Sequence, residues 1–274
     1  MNRPYDIRCG LTLKEAIGLS DGGVVSIVGA GGKTSLMYFL SRELSMEGAP
    51  VLATTTTKIK ISESKLYSKR FIIPADSCIN RNIMKLEGKK PSPHFAASGE
   101  IPGEQKMVGF SPELIGQLQR LTRFRWIIVE ADGACGKPIK APAFHEPVIP
   151  DVSKWIIAMA GLDAIGKPLN DETVFRTALF SRLTGLKIGE NISEESVARS
   201  LVHPEGLLKG SPKDSRRIIF LNKADCQRRI DAGIKTAREI FKTRERIDRV
   251  IIGRLMDTPS VIRYYENLKE LDGL

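Results

Sequence analysis

Two short segments carry residue types suited to handling a nucleotide. Gly29-Ala30-Gly31-Gly32-Lys33-Thr34-Ser35 follows the apolar run Val24–Val28, and Asn222-Lys223-Ala224-Asp225 follows the apolar run Ile218–Leu221. Glycines let backbone N–H groups turn toward phosphate oxygens, and the N-terminus of the helix that follows adds unpaired N–H groups and a partial positive charge. In such a loop Lys33 meets the β- and γ-phosphates and the Thr34 hydroxyl holds Mg²⁺. The spacing is compact: the usual G-x-x-x-x-G-K-S/T pattern wants glycine where Ile27 stands. The loop is as close to the G-x-x-G-K-S/T loop of Mur ligases as to that of GTPases. In the second segment, Asp225 is placed to accept hydrogen bonds from a guanine edge while Asn222 and the Lys223 stem order and cover the ring. The plainer alternative is a strand-to-helix loop with Asp225 as helix N-cap.

A third element lies between them. Trp126–Val129 is apolar and ends in Glu130-Ala131-Asp132-Gly133. A carboxylate at the C-terminal end of a buried strand can hold Mg²⁺ or orient water. The two acids are expected to point to opposite faces, so that one reaches the metal, Asp132 first and Glu130 behind it. The following loop carries Lys137 and Lys140, cations able to meet a γ-phosphate or an acidic second substrate, and then His145 and Glu146, which are types used for acid–base work. Cys135 lies in the same loop. Thr54–Thr57 places four hydroxyls at the end of another predicted strand, where phosphate contact and simple β-propensity are equally good explanations.

The elements that must position these groups follow from periodicity. Val24–Val28, Val51–Thr57, Phe71–Ile73, Trp126–Val129, Lys154–Met159, Ile218–Leu221 and Val250–Ile252 read as strands. Helical spacing is expected over Leu11–Leu19, Leu36–Leu44, Ser111–Leu121, Glu172–Leu183, Glu194–Leu201, Ile230–Phe241 and Ser260–Lys269. Alternating strand and helix predicts an α/β, doubly wound, largely parallel sheet with helices on both faces, of the P-loop NTPase kind. We expect one domain over residues 1–274, with an irregular excursion at 76–110, where Pro, Gly and Lys collect.

Composition agrees. The chain has 274 residues, 42% of them hydrophobic, which is ample for a core. No apolar run approaches the roughly 20 residues that span a bilayer, and Met1–Gly10 has no signal-peptide core, so a cytoplasmic protein without membrane attachment is expected. Cys9, Cys78, Cys135 and Cys226 form no C-x-x-C pair, which argues against a zinc knuckle or thioredoxin-type motif. Net charge is +10, suited to an acidic ligand. The densest basic stretch, Arg228–Arg249, interleaves acids as a solvated helix face does, and aromatics are only 6%, so nucleic acid is not the expected partner.

Together the segments V-G-A-G-G-K-T-S-L, T-T-T-T-K-I, V-E-A-D-G-A-C-G-K-P-I-K-A-P-A-F-H-E-P-V-I-P, H-P-E-G-L-L-K-G and L-N-K-A-D resemble the YqeC family over roughly residues 11–260. Its members are described as accessory proteins of selenium-dependent molybdenum hydroxylases. The resemblance implies a cytoplasmic P-loop protein acting near molybdenum cofactor maturation, with a molybdenum hydroxylase or its cofactor as partner; it supplies no reaction. From the residues, the leading expectation is a Mg²⁺-dependent nucleotide hydrolase preferring GTP over ATP. In it, Gly29–Ser35 hold phosphates, Thr34 and Asp132 hold Mg²⁺, Asn222, Lys223 and Asp225 select guanine, and Glu130, Lys137 and Lys140 assist Lys33. An ATP-dependent kinase or ligase and a non-catalytic nucleotide-gated chaperone are the alternatives.

Overall fold

The computed structural model describes residues 5–6, 10–74, 92–243, 245–256 and 258–266. One large sheet contains β1 Tyr5–Asp6, β2 Gly23–Gly29, β3 Val51–Thr55, β4 Lys69–Ile72, β5 His94–Ala97, β6 Trp126–Glu130, β7 Ser153–Gly161, β8 Arg216–Asn222, β9 Arg249–Arg254 and β10 Ser260–Glu266. Across the sheet the order is β1-β10-β9-β8-β7-β2-β6-β3-β5-β4. From β9 to β4 every neighbouring pair is parallel, whereas β10 is antiparallel to both β9 and β1.

The central strands are apolar runs because both of their faces are covered. Alternate residues feed two cores. Val24, Val28, Ile127 and Val129 face one side, packing with Leu114 and Leu118 of α4 (Pro112–Leu121), Phe180 of α5 (Thr177–Thr184), Leu201 of α6 (Glu194–Val202) and Ile240 of α7 (Gln227–Lys242). Val25, Ile27 and Ile128 face the other, with Leu13 and Ile17 of α1 (Leu13–Ile17) and Leu36, Leu40 and Leu44 of α2 (Lys33–Met46). The short α3 (Ile61–Ser64) follows a three-stranded antiparallel sheet partner, Lys58–Lys60. Helices therefore cover both faces of a largely parallel sheet, as the alternation predicts.

Three expectations about elements change. The final segment is a strand: Ser-Val-Ile-Arg-Tyr-Tyr-Glu is β-branched and aromatic, and it pairs with β9, where a helix was expected over Ser260–Lys269. Residues 267–269 of that expectation lie outside the described residues. The helix expected from Glu172 begins at Thr177, because Val174–Phe175 pairs in parallel with Ile139–Lys140. Of the excursion at 76–110, residues 76–91 lie outside the described residues. The remainder is ordered chain: β5 lies within the main sheet, and Gly99–Ile101 and Lys106–Val108 pair antiparallel in the small sheet.

Because β3, β6, β2, β7 and β8 run parallel, their C-terminal ends open on one edge of the sheet. That edge carries, in spatial order, the threonine run, Glu130 and Asp132, the glycine-rich loop, the turn after Gly161, and Asn222–Asp225.

Candidate functional site at the strand edge

The glycine-rich loop leaves β2 and enters α2 at Lys33, with Gly32 as N-cap. Its first three N–H groups turn into the protein. Gly29 donates to the Asp132 carboxylate at 2.9 and 3.0 Å, Ala30 to the Met159 carbonyl at 3.0 Å, and Gly31 to the Lys137 carbonyl at 3.1 Å. The N–H groups of Lys33, Thr34 and Ser35 open the helix, where no preceding turn supplies an acceptor. With the Gly32 N–H, they are the groups of this loop left to face an anion. Glycine is required at the bend: Gly31 has φ +79°, and a Cβ there would stand 2.5 Å from Gly161 N and 2.8 Å from the Pro138 carbonyl.

Lys33 is almost wholly enclosed. Its Nζ donates to the Gly29 carbonyl at 2.7 Å and lies 3.3 Å from Asp132 Oδ1 and 3.6 Å from Glu130 Oε1. Burial disfavours its charge, but Asp132 and Glu130 outweigh that and hold its pKa above the ordinary lysine value. Glu130 and Asp132 do not point to opposite faces: residues two apart on extended chain share a side, and both meet Lys33. Their surroundings then differ. Asp132 is fully buried and bonded to Gly29, Lys33 and Lys140. Glu130 accepts from the Thr34 hydroxyl at 2.9 Å, and burial pushes its pKa up against the opposing pull of Lys33 and Thr34.

The ion pairs continue beyond the loop. Lys140 Nζ lies 3.0 Å from Asp132 Oδ2 and 2.6 Å from Glu146 Oε2, and Glu146 accepts two hydrogen bonds from Arg176, that from Nη2 at 3.0 Å. Glu130, Lys33, Asp132, Lys140, Glu146 and Arg176 thus form a line of alternating charge whose formal sum is zero. Burial raises the Glu146 pKa, but Arg176 and Lys140 overcome it and hold the carboxyl down at about 2. Lys140 is therefore enclosed and saturated. Lys137 is half-buried, and its carbonyl braces Gly31.

Asn222 joins the two nucleotide segments. Its Nδ2 donates to the Gly31 carbonyl at 2.7 Å, and its Oδ1 accepts from the Leu255 N–H at 3.0 Å, so one amide ties the phosphate loop to the end of β9. Lys223, in the left-handed region at φ 65°, donates to Asp163 Oδ2 at 3.0 Å. Asp225 is not the N-cap of α7, a place taken by Cys226; its Oδ2 accepts from Arg229 at 2.7 Å.

Other candidates lie elsewhere or are engaged. The Thr54, Thr55 and Thr56 hydroxyls donate to the carbonyls of Ala96, Glu130 and Val148, each at 2.7 Å, which staples the strand ends. His145 is exposed against the Phe144 ring, while Glu146 points inward to its two cations. Cys135 is exposed. The sequence reading missed Arg176 and Asp163. Arg176 meets Glu146 across 30 residues of chain, with no local signal. Asp163, just past a buried strand, carried the same signal as Asp132.

This fold and edge define an α/β protein of doubly wound, largely parallel architecture, consistent with a P-loop NTPase-like fold. A family model described as YqeC protein matches residues 25–178. A protein of Escherichia coli (strain K12) that carries the name Uncharacterized protein YqeC is 30% identical over 247 residues, spanning 89% of this chain and 92% of its own length. The chain belongs to the YqeC family. Among the described residues, no helix is long and apolar enough to cross a membrane.

Proposed function

We propose that this chain is a cytoplasmic Mg²⁺-dependent nucleotide-binding protein that hydrolyses GTP in preference to ATP. The observation that carries this is the 2.7 Å hydrogen bond from Asn222 Nδ2 to the Gly31 carbonyl. It fixes the guanine-type segment against the phosphate-type loop at the edge of a parallel sheet.

The residues fit the ligands. The opening N–H groups of α2, a 14-residue helix, suit phosphate oxygens. The Thr34 hydroxyl and Glu130 carboxylate, 2.9 Å apart, are hard oxygen donors of the kind that hold Mg²⁺ directly or through water. Bound there, Mg²⁺ would neutralise phosphate charge. Lys33 holds its charge at the loop and can exchange carboxylate contacts for phosphate oxygens. Of the two acids, Glu130 is better placed for the metal, because Asp132 is enclosed by Gly29, Lys33 and Lys140. Asp132 then serves by orienting the loop, and Lys137, whose carbonyl braces Gly31, is a further cation beside it. Hydrolysis would break the β–γ phosphoanhydride bond with water as nucleophile, aided chiefly by positioning and charge.

Family membership supports a biological setting: maturation of a molybdenum cofactor, or its insertion into a molybdenum hydroxylase. One observation favours an ATP-dependent kinase or ligase as the second reading. Arg229 engages Asp225, the residue that guanine selection needs. Asp225→Asn separates the two. A guanine reader loses GTP affinity and gains xanthosine triphosphate affinity, whereas an ATP enzyme binds as before. Tight GTP binding with negligible turnover, even with the hydroxylase present, would make the chain a nucleotide-gated chaperone.

A further inference from the structure

One acceptor on the strand edge lacks a donor. Asp163 lies in the helical turn Leu162–Ala164 that follows β7. Its Oδ2 accepts from Lys223, while its Oδ1 is buried and has no hydrogen-bond partner among the described residues. A buried carboxylate oxygen without a donor is costly, and calls for an explanation.

The sheet order says what passes that oxygen. β7 lies between β2, which leads into the phosphate-type loop, and β8, which leads into Asn222–Asp225. The spacing is close: a Cβ on Gly31 would stand 2.5 Å from Gly161 N, and a Cβ on Gly161 would stand 2.6 Å from Asp163 Oδ1. Gly31, Gly161, Asp163 and Lys223 are therefore packed side by side between the phosphate-type loop and the guanine-type segment. A nucleotide spanning the two segments would carry its sugar past the middle strand, β7.

We propose that Asp163 Oδ1 accepts a hydrogen bond from a ribose hydroxyl, so that the site selects ribonucleotides over deoxyribonucleotides. The inference rests on the nucleotide binding proposed above. An ionised carboxylate only accepts and a sugar hydroxyl donates, which gives a charge-assisted bond. Acidic side chains read ribose in the same way in dinucleotide-binding folds. Lys223 keeps the carboxylate in place through Oδ2 and leaves Oδ1 for the sugar.

The test is calorimetric titration of the full chain, with Mg²⁺, using the non-hydrolysable imido analogue of GTP and its 2′-deoxy and 3′-deoxy counterparts. The ribose form is expected to bind at least about tenfold tighter than one of the deoxy forms, since a site built for a hydroxyl rejects a ligand lacking it. Asp163→Ala is expected to bring the affinities together, and Lys223→Met, which releases the carboxylate held at Oδ2, to narrow the ratio as well. Equal affinities in the unaltered protein would overturn the sugar contact and leave nucleotide binding standing, with no variant required. Failure of all three analogues to bind would overturn both.

Discussion

Lys33 reaches Asp132 across the ends of adjacent parallel strands, Nζ to Oδ1 at 3.3 Å, with both side chains withdrawn from solvent. The pair binds the residue expected to meet phosphate to the acid that also orients Gly29 and Lys140. Asp132→Ala would leave two buried lysines short of a counter-ion. Breaking a buried pair in this way costs about 3–5 kcal/mol. Urea denaturation of the variant should show a loss of that order; a loss below about 1 kcal/mol would mean that Glu130 and Glu146 balance the lysines without Asp132.

Acid should loosen the other end of the charged line. The Glu146 pKa is depressed to about 2 in the folded protein, against an ordinary value of 4.5. Its contribution to stability is fully present above the ordinary value and is lost as pH falls from there toward about 2. Stability measured across that window should fall less steeply in Glu146→Gln than in the unaltered chain. Equal slopes would show that Arg176 and Lys140 do not hold Glu146 ionised.

Gly31→Ala should damage the loop beyond its own conformational cost. The residue has φ +79°, and the added Cβ meets backbone atoms of Gly161 and Pro138, which cannot rotate away as a side chain can. Nucleotide affinity should fall at least about tenfold, a change equivalent to about 1.4 kcal/mol, with destabilisation visible in thermal melting. An unchanged melting temperature would show that the turn after β7 gives way freely.

Asn222→Ala removes both ties between the phosphate-type loop and the end of β9. The Leu255 N–H and the Gly31 carbonyl lose their partner, a loss worth about 1–3 kcal/mol in stability. Nucleotide affinity should decline for GTP and ATP alike, because the phosphate loop is what loosens. A selective loss of GTP would instead assign Asn222 to the base.

The sequence disclosed the parallel sheet because Val24–Val28, Trp126–Val129 and Ile218–Leu221 are apolar runs of strand length, and such runs require cover on both faces. It misled at Ser260–Glu266, where Val261, Ile262, Tyr264 and Tyr265 mimic helical spacing, while their β-branched and aromatic types favour the strand that forms. The loop, the acids and Asn222 stood out because each follows an apolar run of strand length. The enclosure of Lys140 was not, since it depends on Glu146 and Asp132 closing around an amine from separate parts of a proline-rich loop. Arg176 depends in the same way on a contact that only the folded chain creates, across 30 residues, whereas Asp163 carried the strand-end signal and was passed over.

The most direct measurement is calorimetric titration of the purified chain with non-hydrolysable GTP and ATP analogues, each with and without Mg²⁺. The proposal predicts tight, Mg²⁺-dependent binding of the GTP analogue and weak binding of the ATP analogue. Preference for the ATP analogue would contradict guanine selection by Asp225, and binding of neither would contradict the assignment of Lys33–Ser35 as a phosphate cradle.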